Sequence, residues 1–272
     1  MKLAICNETF QDWPFDKAFD FARECGYTGI EIAPFTIDKN AKNITSPQRN
    51  EVRQQAEAAG LEVIGLHWLL AFTEGYYLTS PEAETRTRTA DYLAELATLC
   101  RDLSGDVLVL GSPQQRNLLP GVSHEVAMQH AADVITQALP TLEKHNVVLA
   151  VEPLGPAEGD FLLTADVGAE LVKMIDSPQV RLHLDVKAMS SESTPIPEII
   201  KKHAGITAHF HANDANKLGP GMGDIDFIPI LKSLQDANYT DWVSVEVFDY
   251  TPGVETLAQD SIAYLQKCLA EL

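Results

Sequence analysis

Four side chains, Glu152, Asp185, His211 and Glu246, each close a short apolar run: LAVEP, LHLDV, HFHAN and VSVEVF. Their separations of 33, 26 and 35 residues match about one strand–helix unit each, so consecutive strands would set them side by side. Three carboxylates and one imidazole make a hard, oxygen-rich donor set, suited to Mn²⁺, Mg²⁺ or Co²⁺ better than to a closed structural zinc site. Unpaired, three converging carboxylates would repel one another strongly, and a cation removes that repulsion. A divalent ion that chelates a carbonyl and a neighbouring hydroxyl acidifies the α-carbon proton as a Lewis acid. One carboxylate can then take the proton to give a cis-enediolate, and a second on the opposite face can return it with inversion. Glu152 and Glu246, from separate strands, can flank such a substrate. For any one of the four, a helix cap or a lysine ion pair is the plain alternative; four in register argue against it.

The elements that must position them repeat along the whole chain. Strands are expected at Leu3–Cys6, Gly29–Ala33, Val63–His67, Val107–Leu110, Val148–Glu152, Arg181–Asp185, Ala208–Ala212 and Val243–Val247, with helical patterns between them such as Leu93, Leu96, Ala97, Cys100 and Leu103. Eight such units imply an α/β fold, a closed (β/α)8 TIM barrel that occupies residues 1–272 as one domain. Strand alternation turns Glu152, Asp185, His211 and Glu246 into the barrel together with Ala150, His183, His209 and Ser244, while Val151, Leu184, Phe210 and Val245 face the helices. The stretch from Thr207 to Phe227 carries the histidine strand and then a loop punctuated by Gly219, Gly221 and Gly223. Ser46-Pro47 and Ser80-Pro81 read as helix starts, and Ser123 and Thr164 as caps. Pro140 should kink or break the fourth helical pattern. Long loops at Trp68–Tyr77 and Gly155–Phe161 follow strands on the face where such barrels work.

Composition narrows the function classes. A net charge of −19 opposes binding to nucleic acid or anionic membrane, and no apolar run approaches the ~20 residues of a membrane span. Cys6, Cys25, Cys100 and Cys268 lie far apart in apolar contexts and read as reduced core residues, which points to the cytoplasm. The first strand is followed by Asn7-Glu8-Thr9 rather than a glycine-rich turn, against a dinucleotide site. GPGMG lacks the lysine and hydroxyl of a phosphate-binding loop, so an unphosphorylated polyol is expected.

The order Glu, Asp, His, Glu on the last four strands resembles the xylose-isomerase-like barrels of sugar isomerases and epimerases, and most of all the ketose 3-epimerases. The resemblance runs the whole chain and rests on VEP, LD, HxHxxxxN and VEVF. It implies one divalent ion, Mn²⁺ first, on Glu152, Asp185, His211 and Glu246, with Glu152 and Glu246 as the acid–base pair acting on a keto sugar or polyol. It also implies substrate contacts from Glu158 and from Phe248 at the distal end of the sugar pocket. Two positions depart from it. Ala188 in LDVKAM stands where those epimerases carry a histidine, and Lys217 in DANK where they carry an arginine. Both departures favour a substrate bulkier, cyclic or carboxylated near the reacting carbon.

Other candidates are weaker. His67 and its neighbour Trp68 sit at the expected rim, as a sugar contact or as plain loop residues. Trp13 could stack on a sugar face or pack under the first loop. Lys187 and Lys217 are the basic residues near the metal set. His183 and His209 fall one layer below the rim, where hydrogen-bonded structural histidines are usual, and Glu31 ends the second strand, where an ion pair is the plain reading. A dehydratase of an inosose- or dehydroshikimate-like substrate would share the enolisation step. A nuclease needs more strand-end histidines and a basic face, and a metal-free sugar-binding barrel would bind no ion. A homo-oligomer, dimer or tetramer, is expected.

Overall fold

The computed structural model describes all 272 residues. Eight parallel strands close one barrel in sequence order: β1 Lys2–Cys6, β2 Gly29–Ile32, β3 Glu62–Leu66, β4 Val107–Leu110, β5 Val148–Val151, β6 Val180–Asp185, β7 Thr207–Ala212 and β8 Trp242–Val245. Closure is made by β1 against β8, with Lys2 opposite Trp242 and Ile5 opposite Val245. The expected strands are all present; β4 has the expected bounds and the others differ by one or two residues at an end. Around them run α1 Phe15–Cys25, α2 Ser46–Ala59, α3 Ala83–Asp102, α4 His124–His145, α5 Ala165–Ile175, α6 Val186–Met189, α7 Ile196–His203, α8 Phe227–Asp236 and α9 Val254–Ala270.

Alternation along the strands divides the molecule into two cores. Ile5, Ile30, Leu108, Val151, Leu184, Phe210 and Val245 join the helices in one apolar layer. Their neighbours Cys6, Glu31, His183, His209, His211 and Ser244 fill the barrel with polar atoms, all buried. The contents of the barrel are therefore chemistry rather than packing alone. Between β3 and β4 the wall closes tightly: a Cβ on Gly65 would lie 2.2 Å from the Val107 carbonyl oxygen.

The ends of the barrel differ in length of connection. At the amino end, turns such as 26–28, 60–61 and 146–147 are short, and Gly26 at φ 107° or Asn146 at φ 51° stops the preceding helix. At the carboxyl end the loops 67–82, 111–123, 152–164, 213–226 and 246–253 are long. The caps follow the sequence in part. Ser123 and Thr164 accept from Val126 and Val167 as expected. The α2 cap is Thr45, in a reciprocal box with Gln48, with Ser46 and Pro47 already helical. Ser80 spends its hydroxyl on the Glu82 amide, so α3 starts at Ala83 rather than at Pro81. Pro140 neither ends nor divides α4. Pro140 and Thr136 lie on the exposed face, so the one carbonyl it deprives of a partner meets solvent. No helix is long and apolar enough to cross a membrane.

Candidate active site

The carboxyl ends of β5 to β8 bring the four sequence candidates together. Ligand atoms of Glu152, Asp185 and His211, with His183, lie within 4.8 Å of one another. Glu246 joins through His211, whose Nδ1 is 3.0 Å from Glu246 Oε2. Each carboxylate is fixed from outside the cluster. Asp185 caps the short helix α6 by accepting from the Ala188 amide at 2.7 Å, and its other oxygen accepts from Asn213 at 2.5 Å. The Trp68 indole donates to Glu246 Oε1 at 2.8 Å. Glu152 stands against Gly111 at the end of β4, where a Cβ would fall 1.6 Å from its Oε2. Arg116, buried and reached from the turn Pro113–Gln115, donates one nitrogen to the carbonyls of Glu152 at 2.6 Å and Leu110 at 3.2 Å. It thereby ties the ends of β4 and β5.

Below the cluster, Glu31 accepts from His209 Nε2 at 2.9 Å and lies 3.2 Å from His211 Nε2. With Nε2 against Glu31, His211 turns Nδ1 toward Glu246, the way a carboxylate orients a metal-binding histidine. A divalent cation fits this donor set. His211 Nδ1 and Glu246 Oε2 are within ion-pair distance but not aligned to hydrogen-bond, and both are buried without a partner. Two atoms ~3.0 Å apart make the edge of an octahedron with bonds of ~2.1 Å. Both nitrogens of His183 are likewise buried without partners, with Nε2 3.7 Å from Glu152. The sequence placed His183 as a hydrogen-bonded floor residue; the floor position holds and the hydrogen bond is missing.

The charges are arranged unevenly. Burial, then repulsion from Glu246 and Asp185, pushes the Glu152 carboxyl well above the usual range. Glu246 is just as buried, but His211, His67 and the Trp68 indole together outweigh burial and hold it below that range. Burial alone would lower His211, and Glu246 and Glu31 raise it well above an ordinary imidazole. A bound cation opposes the repulsion among the carboxylates and competes with the proton for the bare imidazole nitrogen.

Above the cluster opens a cavity of about 220 Å³, lined by Glu152, Glu158, Glu246, His67, Trp68 and Phe248 among others. It falls below the ~300–1,000 Å³ of pockets for drug-sized ligands, so a small polyol suits it better than a dinucleotide. Trp68 stacks between Phe72 and Phe248, at 6.4 and 6.2 Å between ring centres, and Phe35 closes the same aromatic wall. Lys187 turns inward: it is buried, its ammonium lies 2.6 Å from Glu158 Oε2 and 4.3 Å from the centre of the Phe248 ring.

Two candidates stand elsewhere. Trp13 is absent from the cavity wall because it packs on Phe10 and Phe21, with the Lys17 ammonium over its face. Lys217 is exposed and also outside the wall, with its backbone at φ 74° in a tight turn. Its carbonyl accepts from the amides of Phe248 and Asp249, so its backbone rather than its charge shapes the site. Sequence reasoning missed Glu8, Arg116, Asn213 and Gly111. Asn213, two residues after His211, carried the one local signal, since its position on the same strand end was legible.

Residues 19–268 match the family described as the xylose isomerase-like TIM barrel, and the chain belongs to that family. It is 26% identical over 274 residues to a probable ketose 3-epimerase of Synechocystis sp., across 92% of this chain and 89% of that protein. It is 28% identical over 244 residues to a D-psicose 3-epimerase of Enterocloster bolteae, across 89% and 79%. Its fold superposes with a TM-score of 0.86 on the crystal structure of D-psicose 3-epimerase with D-tagatose from Clostridium cellulolyticum H10, at 19% identity and 99% coverage of both chains.

Proposed function

We propose that this barrel is a divalent-metal-dependent epimerase of an unphosphorylated keto sugar, acting at the carbon next to the carbonyl. The observation that carries the reading is the convergence of Glu152 and Glu246, from β5 and β8, on either side of Asp185 and His211 under one small cavity. An ion held by Glu152, Asp185, His211 and Glu246, Mn²⁺ in this reading, would supply Lewis-acid polarisation of the substrate carbonyl.

The protein's own groups do the rest. One glutamate removes the α-proton and the other delivers a proton to the opposite face, which inverts the centre. Trp68 holds one oxygen of Glu246, and Arg116 with Gly111 fixes where Glu152 stands. Trp68 and Phe248 give the sugar's apolar faces a dry wall, and Lys187 holds Glu158 at its edge. The third carbon is the centre we assign, because the relatives above carry that position in their names. The four cysteines are unpaired, which supports a reducing compartment and hence the cytoplasm.

The test is incubation of Mn²⁺-loaded protein with D-psicose, D-tagatose and D-fructose in D₂O, followed by NMR. The expected result is deuterium at the third carbon together with the epimer. Loss of water from an inosose or dehydroshikimate offered beside them, with no exchange into the ketoses, would move the protein to the dehydratases. No exchange into any of these with Mn²⁺, Mg²⁺ or Co²⁺ overturns the reading.

A further inference from the structure

We infer that His183 is a fifth protein ligand of the ion, so that this chain holds its metal with two imidazoles and prefers a borderline cation such as Co²⁺ to Mg²⁺. The inference rests on the metal site of the reading above and deepens it. His183 and Asp185 lie two residues apart on β6 and face the same side of the sheet. The pairing of β6 with β7 is irregular here: Leu182 stands opposite Thr207, but the next residue, His183, stands opposite His209. The extra residue, Ala208, sets His209 and His211 level with His183 and Asp185. Bulges of this kind re-aim side chains and recur beside active sites.

What sets His183 apart from the other imidazoles of the barrel is that no protein group serves it. The ring is fully buried, and neither nitrogen has a hydrogen-bond partner. His209, opposite it on β7, is met by Glu31 at 2.9 Å, and His67 by Glu8 at 2.6 Å. For His183 the nearest carboxylate oxygen is Glu152 Oε1, 3.7 Å from Nε2. Buried polar groups are ordinarily paired, so a bare one beside the metal cluster calls for water or an ion.

The distances favour the ion. A water bridging two atoms at hydrogen-bond lengths of about 2.8 Å would hold them about 4.5 Å apart. Two donors at ~2.1 Å from one ion span about 3.0 to 4.2 Å, the edge and the diagonal of an octahedron. The 3.7 Å between His183 and Glu152 falls inside that range. Ligand atoms of Glu152, His183, Asp185 and His211 all lie within 4.8 Å of one another. The His183 and His211 rings are 4.2 Å apart between centres and tilted by 72°. Two imidazoles on adjacent positions of one ion would stand about 4.6 Å apart. A second imidazole moves the donor set away from Mg²⁺ and toward Co²⁺, Fe²⁺ or Zn²⁺. It also adds an uncharged ligand, which leaves an oxygen of Glu152 or Glu246 free to act as base.

The experiment is proton NMR of the Co²⁺-loaded protein, with calorimetric titration of Co²⁺ and of Mg²⁺ into the metal-free chain. Each imidazole bound to Co²⁺ gives one N–H proton shifted far outside the ordinary range, identified by its loss when the protein is loaded in D₂O. Wild type is expected to show two such protons and His183→Leu one, with His183→Asn as the second variant should the leucine chain fail to fold. Removal of even an outer partner of a metal costs about 10- to 100-fold in affinity, and His183→Leu should lose at least that for Co²⁺. Its Mg²⁺ affinity should change about threefold or less. A single shifted N–H in wild type that binds one Co²⁺ per chain overturns the fifth ligand and leaves the epimerase reading standing. Equal weakening of both ions in the variant makes His183 a structural residue and overturns the inference as well. Wild type that binds neither ion overturns the metal site, and with it both readings.

Discussion

The half of the barrel mouth built by β5 to β8 and the half built by β1 to β4 hold their polar groups in opposite ways. On β5 to β8 each strand ends in one residue of the cluster, and the bare atoms of Glu246 and His211 face one another without a hydrogen bond. On β1 to β4 the acids come as couples with imidazoles: Glu8 with His67, and Glu31 with His209. β4 contributes only the space left by Gly111. Converging, unpaired carboxylates are unstable unless a cation joins them, whereas a couple is close to neutral and needs none. One half is thus arranged to hold an ion, and the other to orient imidazoles from beneath it.

Substitutions on both sides give the sharpest separation. Glu152→Gln and Glu246→Gln each keep an oxygen for the ion but lose the base we propose, so exchange of the α-proton should fall about 10²- to 10⁴-fold. Saturating Mn²⁺ should not restore it. Glu31→Gln touches the His211 imidazole from behind and should weaken metal affinity about 10- to 100-fold, with exchange recovering as Mn²⁺ is raised. Titrating exchange against Mn²⁺ reads both. Recovery in the Glu152 or Glu246 variants, or none in Glu31→Gln, would erase the distinction between the halves.

The next effect probes the empty place on β4. Gly111→Ala adds a methyl that would meet Glu152 Oε2 at 1.6 Å and leaves every polar side chain of the site intact. Displacing the carboxylate by about 1 Å should lower kcat on the order of 10²-fold, with thermal stability little changed. A variant of normal kcat would show that Glu152 can work from a shifted position.

The two halves were also unequally legible in the sequence. Glu152, Asp185, His211 and Glu246 could be placed because strand alternation and the length of one βα unit together fix depth and azimuth. Nothing local announces the couples. Glu8 and His67 are 59 residues apart, and Glu31 and His209 are 178 apart. Asn7-Glu8-Thr9 served in the sequence only as evidence against a dinucleotide turn. The loops hid the rest, since periodicity says nothing of a backbone such as Trp68 at φ 53° or of Trp13 turning back onto Phe21. Arg116 reads as a surface residue until the fold lays it across two strand ends, where burial brings its guanidinium down to about 10 against the pull of Glu152 and Glu158.

The smallest effects separate two lysines that the sequence ranked the other way, with Lys217 first. Lys187 and Lys217 both follow strands of the charged half, and a strand-end lysine usually faces solvent. Lys217 does: its side chain is exposed, and only its carbonyl holds the amides of Phe248 and Asp249. Lys187 does not, because its stem is anchored where its amide meets Asn213 at 2.8 Å, and its ammonium then falls on Glu158 and the Phe248 ring. Lys187→Met should therefore leave Glu158 unpaired at the cavity wall. Since the Glu158 side chain is 24% exposed, the loss is discounted for solvent to about tenfold in kcat/KM. It should appear mainly in KM, because neither group is one of the two glutamates we propose as the acid–base pair. Lys217→Ala keeps the backbone contacts and should change kcat/KM by about twofold or less. Steady-state kinetics on the best ketose decides between them. A larger loss for Lys217→Ala than for Lys187→Met would mean that the exposed lysine folds over the bound sugar, and that the substrate's cationic contact comes from the loop after β7 instead of from α6.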